Sequence, residues 1–110
     1  MSERTKKVAS LVRQTVAAEL SLVPEAARLT VTTVDVSPDL RTCTVWIGVL
    51  APPGDDARAE QLFKVALGAR DQLQKAVARQ LTTKFIPRVR LARDTGGEYA
   101  AEINQLISGL

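Results

Sequence analysis

The side chains that most often carry out chemistry are scarce in this 110-residue chain, which has no histidine and a single cysteine, Cys43. Without an imidazole, a serine or cysteine nucleophile lacks its usual base, and a zinc site would have to be assembled from carboxylates. Glycine-rich phosphate loops of the Walker or dinucleotide type are absent. Asp55-Asp56 reads as a helix cap in a solvated loop rather than as a metal or acid–base pair. A hydrolase built on isolated carboxylates such as Asp35 and Asp39 would need a pocket that perturbs one of them. The residue types therefore point to a protein that is not an enzyme and needs no cofactor or metal.

What the chain does carry is unevenly placed positive charge. Residues 64 to 93 hold Lys64, Arg70, Lys75, Arg79, Lys84, Arg88, Arg90 and Arg93 against Asp71 alone, a net of +7 in a chain of net +3. A second, smaller pole lies at the start, where Arg4, Lys6, Lys7 and Arg13 face only Glu3. Such poles suit a phosphate backbone, because each contacted phosphate releases a condensed counterion and that release supplies most of the affinity. Charge alone leaves two readings open, an RNA-binding surface or a solvated cationic face. Aromatic residues are few, with one Trp, one Tyr and two Phe. Shape and phosphate recognition should then outweigh base stacking. Trp46 and Tyr99 are expected to pack, Trp46 under a helix.

These residues need elements to position them. At 110 residues, 45% hydrophobic and 25% charged, the chain has the length and apolar content of one ordinary domain spanning 1–110. Val8, Leu11, Val12, Val16 and Leu20 recur at steps of three and four and predict an amphipathic helix from Arg4 to Leu22, ended by Pro24. Leu29, Val31 and Thr33 alternate, after which Val34 and Val36 take the opposite parity, so a bulge is expected near Thr33-Val34. Ser37-Pro38-Asp39-Leu40 supplies turn chemistry. Thr42 to Leu50 alternates cleanly, placing Cys43, Val45, Ile47 and Val49 on one face of a second, antiparallel strand.

After the break at Ala51-Pro-Pro-Gly-Asp-Asp56, one apolar stripe of Leu62, Ala66, Ala69, Leu73, Val77 and Leu81 runs through Gly68 without losing phase. A helix-interior glycine costs ~1 kcal/mol relative to alanine, so Gly68 implies a kink, a close backbone approach, or relief of crowding where the helix crosses the sheet. Val89 and Leu91 alternate with Arg88, Arg90 and Arg93 as a third strand with a basic exposed face. Beyond Gly96-Gly97, the stripe Tyr99, Ile103, Leu106, Ile107 and Leu110 predicts a short C-terminal helix that docks on the domain or binds a partner. Cys43 reads as a buried thiol, no stretch reaches the length of a membrane helix, and the N-terminus lacks a signal-peptide core, so a cytoplasmic location is expected.

The order helix, strand, strand, helix, kink, helix, strand is that of a type II KH domain, an α+β fold. Within it, four segments resemble the ribosome-binding factor A family. Lys7-Val8-Ala9 with Leu11, Val12 and Val16 looks like the family's opening helix. Ser37-Pro38-Asp39-Leu40 followed by Val45-Trp46-Ile47 resembles its Ser-x-Asp-Leu turn and Val-Tyr-Val strand. Ala66-Leu67-Gly68 matches the Ala-x-Gly element that stands where other KH domains have a Gly-x-x-Gly loop. Pro87-Arg-Val-Arg-Leu-Ala-Arg-Asp94 follows the closing Pro-x-Leu-x-Phe-x-x-Asp strand, with Leu91 where Phe is common. The sequence also departs in the longer link Val23 to Leu29, and Arg70 arrives one position earlier than the family's arginine.

The resemblance implies a non-catalytic factor in maturation of the 30S subunit, with 16S rRNA of the immature small subunit as its ligand and a GTPase assisting release; a monomer is expected, since nothing in the sequence demands more. The expected RNA contacts are Arg4, Lys6, Lys7 and Arg13 in the first helix, Ala66 and Gly68 at the kink, and Arg70, Lys75, Arg79, Lys84, Arg88 and Arg90 around it. The competing reading is a basic protein-interaction module that grips an acidic protein without RNA.

Overall fold

The first apolar stripe closes as α1 (Glu3–Ser21), with Val8, Val12, Val16 and Leu20 buried along one side at four-residue spacing. The computed structural model describes residues 3–94. A 3-10 turn at Pro24–Ala26, which the sequence pattern does not signal, leads into β1 (Leu29–Val36). β2 (Thr42–Val49), α2 (Asp56–Gly68), α3 (Arg70–Gln80) and β3 (Arg88–Asp94) follow. The expected C-terminal helix lies outside the described residues.

The sheet runs β1-β2-β3, with β1 and β2 antiparallel and β2 and β3 parallel, so the α2–α3 pair is the crossover between parallel neighbours. This is the KH-like α+β arrangement expected from the sequence. The helices cover one face. Val31, Val34 and Val36 of β1, Cys43, Val45 and Ile47 of β2 and Val89 of β3 meet the α1 stripe and Ala66, Leu73 and Val77 in one core.

The strand slip is real but sits earlier than expected. Val31 pairs with Ile47 and Thr33 with Trp46, so Thr32 is the extra residue. Its hydroxyl donates to the Trp46 carbonyl at 3.2 Å, which anchors the bulge across the strand. The bulge lets Val31 and Val34, three positions apart, both face inward and leaves Thr33 exposed.

The β1–β2 turn is held by side chains as well as by Pro38. Ser37 Oγ donates to Asp39 Oδ1 at 2.6 Å, and the Arg41 N–H donates to the same oxygen at 3.1 Å. These bonds hold the Asp39 carboxyl below its ordinary pKa, the Ser37 bond contributing most. Leu40 adopts φ 61°, unusual for a branched residue, and buries its side chain in the core.

Trp46 does not pack under a helix. On β2 it has the parity opposite to Val45 and Ile47, which turns it to the uncovered face, where its indole N–H donates to Asp35 Oδ2 at 3.0 Å. Arg93 also departs from expectation. It shares parity with Val89, lies on the helical side and reaches Asp56 at 3.5 Å, so only Arg88 and Arg90 make the outer face of β3 basic.

Candidate nucleic-acid interface

The helical stripe breaks at Ala69, not at Gly68. Ala69 has φ −91° and ψ 0°, outside the helical basin, and serves at once as the end of α2 and the start of α3. No backbone bond is lost, because its N–H donates to Val65 and Ala66 carbonyls at 3.2 and 3.0 Å and its own carbonyl accepts from Leu73 at 2.9 Å. Leu62, Ala66, Ala69, Leu73 and Val77 stay buried through the break.

Gly68 is the last residue of α2, and nothing in the described fold requires a glycine there. A Cβ built on it meets no atom within 4 Å, and its backbone is not left-handed. Relief of crowding against the sheet is therefore excluded. The space beside Gly68 is open to solvent, next to Leu67, which is 46% exposed despite being apolar.

Leu67 also lines a shallow groove of roughly 510 Å³ along the free edge of β3, together with Thr42, Arg70, Arg88, Arg90 and Leu91. β3 is an edge strand, and α3 satisfies the outer backbone groups where it begins. Gln74 donates to the Pro87 carbonyl at 2.9 Å and accepts from the Val89 N–H at 2.8 Å, as a neighbouring strand would. Arg70 Nε donates to the Val89 carbonyl at 2.9 Å. This pins the guanidinium at the groove wall with one terminal nitrogen 3.6 Å from exposed Asp71. The groove thus has an apolar lip at Leu67, the residue before Gly68, and three arginines presented by a helix and a strand.

The structure distributes the other expected contacts over several surfaces. Ala66 is fully buried and has no surface to offer RNA; its place in the Ala-x-Gly element is a packing role. Along α3, at 100° per residue, Arg70 and Arg79 project from opposite flanks with Lys75 between them. Arg79 turns towards α1 and reaches Glu19 at 3.5 Å, while Gln72 donates to the other Glu19 oxygen at 2.9 Å. Arg4, Lys6, Lys7 and Arg13 are exposed on α1, which lies over β1 and against α3, away from the β3 edge.

Lys84 belongs to a cluster that spacing did not reveal. It lies in the α3–β3 loop with its ammonium 5.6 Å from the Phe85 ring centroid, and the Arg41 guanidinium lies 4.8 Å from the same centroid. Arg41 is 44 positions from Phe85 in sequence, so no local pattern links them. Only the β2–β3 pairing joins the two ends, through the Arg88 N–H donating to the Arg41 carbonyl at 2.8 Å. Among the described residues no cluster of side chains suited to a metal is found, and no helix is long and apolar enough to cross a membrane.

A sequence profile described as "Ribosome-binding factor A" matches residues 4–107. Curated relatives with that description include one from Methylobacterium sp. (strain 4-46), 34% identical over 112 aligned positions that cover 96% of this chain and 78% of the relative. Another, from Geobacter sulfurreducens, is 28% identical and covers 97% and 91%. The crystal structure of ribosome-binding factor A from Thermus thermophilus superposes with a TM-score of 0.66 at 20% identity, covering 81% of this chain and 94% of that one. The coordinates of a Thermus thermophilus ribosome-binding factor A fitted into the cryo-EM map of a 30S complex superpose with a TM-score of 0.56 at 21% identity, covering 76% and 88%. With a profile match that spans residues 4–107 and a relative 34% identical over an alignment that covers 96% of it, the chain belongs to the ribosome-binding factor A family.

Proposed function

We propose that this protein binds the small ribosomal subunit through 16S rRNA during late maturation and leaves before translation, without catalysing a reaction. The observation that carries the reading is the unfilled corner at Gly68. The fold has no use for a glycine there, yet Leu67 before it and Arg70 two positions after it both line the groove that holds Arg88 and Arg90. A phosphodiester backbone could approach the helix end closely while the arginines neutralise its phosphates. The family assignment supplies the ribosome as the partner, and a relative has been fitted into a 30S complex. Cytoplasmic location, a monomeric state and release assisted by a GTPase belong to the same proposal.

The test is co-sedimentation with immature small subunits of the wild type and a Lys75→Glu/Arg88→Glu/Arg90→Glu variant. These three side chains make none of the bonds that hold β3, whereas Arg70 supports Val89 and Arg79 pairs with Glu19. Wild type should pellet with subunits and lose the association after RNase, and the variant should stay in the supernatant. RNase-resistant binding to an isolated acidic ribosomal protein would favour the protein-interaction reading instead.

A further inference from the structure

The α3–β3 loop leaves Phe85 45% exposed, although the neighbouring Ile86 and Pro87 turn inward and do the packing. Phe85 is not part of the core. Its surroundings are nevertheless built. The Thr83 hydroxyl donates to the Phe85 carbonyl at 2.8 Å, fixing the loop backbone under the ring. Across from it, the Arg41 N–H is held by Ser37 Oγ at 3.2 Å and Asp39 Oδ1 at 3.1 Å, and the Arg41 carbonyl accepts from the Arg88 N–H at 2.8 Å. The guanidinium is thereby brought over the ring from a turn and a strand that are both tied down, with Lys84 near the same ring.

An exposed aromatic ring with two cations on it and a third basic residue, Arg88, bonded through its backbone to the turn is suited to a nucleobase attached to phosphates. The base gains a π-surface and the phosphates gain charge partners. We infer that Phe85, Arg41 and Lys84 form a stacking platform for one unpaired nucleotide of RNA, separate from the groove at Gly68. The inference rests on the proposed RNA-binding role. It favours RNA over an acidic protein because the exposed ring offers a base a stacking face, and the carboxylate of Asp39 in the adjoining turn is already engaged by Ser37 and the Arg41 backbone.

The experiment is a salt titration of binding to small subunits, using the full chain as wild type, Phe85→Leu, Phe85→Tyr, Arg41→Gln and Lys84→Gln, followed by ultraviolet cross-linking of the wild-type complex. Phe85→Leu should bind about 5- to 150-fold more weakly, with the slope of log affinity against log salt unchanged, because stacking releases no counterion. Phe85→Tyr should restore binding, and the two charge variants should flatten the slope by ~0.7 for each phosphate no longer neutralised. The peptide containing Phe85 should carry a nucleotide adduct. Because the ring is outside the core, Phe85→Leu should keep the wild-type melting temperature, which separates loss of stacking from loss of the fold.

If wild type binds and Phe85→Leu binds equally well, the platform is wrong while the ribosomal role stands. A Phe85 peptide joined to protein instead of nucleotide would also overturn it, in favour of a protein contact. Failure of wild type to bind subunits would overturn both proposals.

Discussion

At the scale of single residues, the clearest contrast is between groups that are reactive in isolation and the environments that silence them. Cys43 is 1% exposed between the sheet and the helices, and burial pushes its thiol from 9.0 up to about 11. The neutral form is favoured in the folded state, so this contribution to stability is fully present below pH 9.0 and is lost as pH rises towards about 11. At pH 8 a maleimide should modify the native protein only as fast as it opens, and denaturant should make the reaction immediate. Rapid modification of the native protein would show that the β2 face is not closed. The absence of histidine was plain in the composition. The packing role of Ala66 was not, because a small residue in a motif looks the same whether it admits a ligand or a neighbouring strand.

At the scale of elements, amphipathic spacing located the three α-helices and three strands found among the described residues, because each buries one face and the burial imposes its period. What spacing missed are contacts made by one side chain across the chain. Gln74 is the example: it is half-buried on α3 and completes the edge of β3 with two hydrogen bonds, and nothing in its neighbours' periodicity marks it. Gln74→Leu would leave the Pro87 carbonyl and the Val89 N–H without those bonds, at a cost of ~1–3 kcal/mol for buried unsatisfied groups. In a domain of this size that corresponds to a fall in melting temperature of roughly 4–24 °C. Hydrogen exchange at the Val89 amide should accelerate with it. Unchanged exchange would mean that the edge is protected by something other than this amide. The bulge at Thr32 shows a different limit. The change of parity announced that a residue was inserted, but the pairing with β2 decides which one.

For the whole molecule, the charge pole at residues 64 to 93 does not become one face. The crossover spreads its cations between the β3 edge, the outer sheet face, the exposed side of α3 and the end near Phe85, and Arg79 is turned away to pair with Glu19. Sequence could show that the charge was there and that a glycine sat within the apolar stripe. It could not show that the glycine is unnecessary to the fold, since that requires knowing what stands around it. The RNA-binding role therefore hinges on Gly68, and the most direct measurement is the affinity of Gly68→Leu for immature small subunits, read beside its melting temperature. A side chain at this position enters space that the fold leaves empty, and it removes a helix-disfavouring glycine. The melting temperature should hold or rise, while affinity falls by at least ~10-fold, about 1.4 kcal/mol. A Gly68→Leu protein that is equally stable and binds subunits as tightly as wild type would contradict the claim that the corner is kept open for RNA.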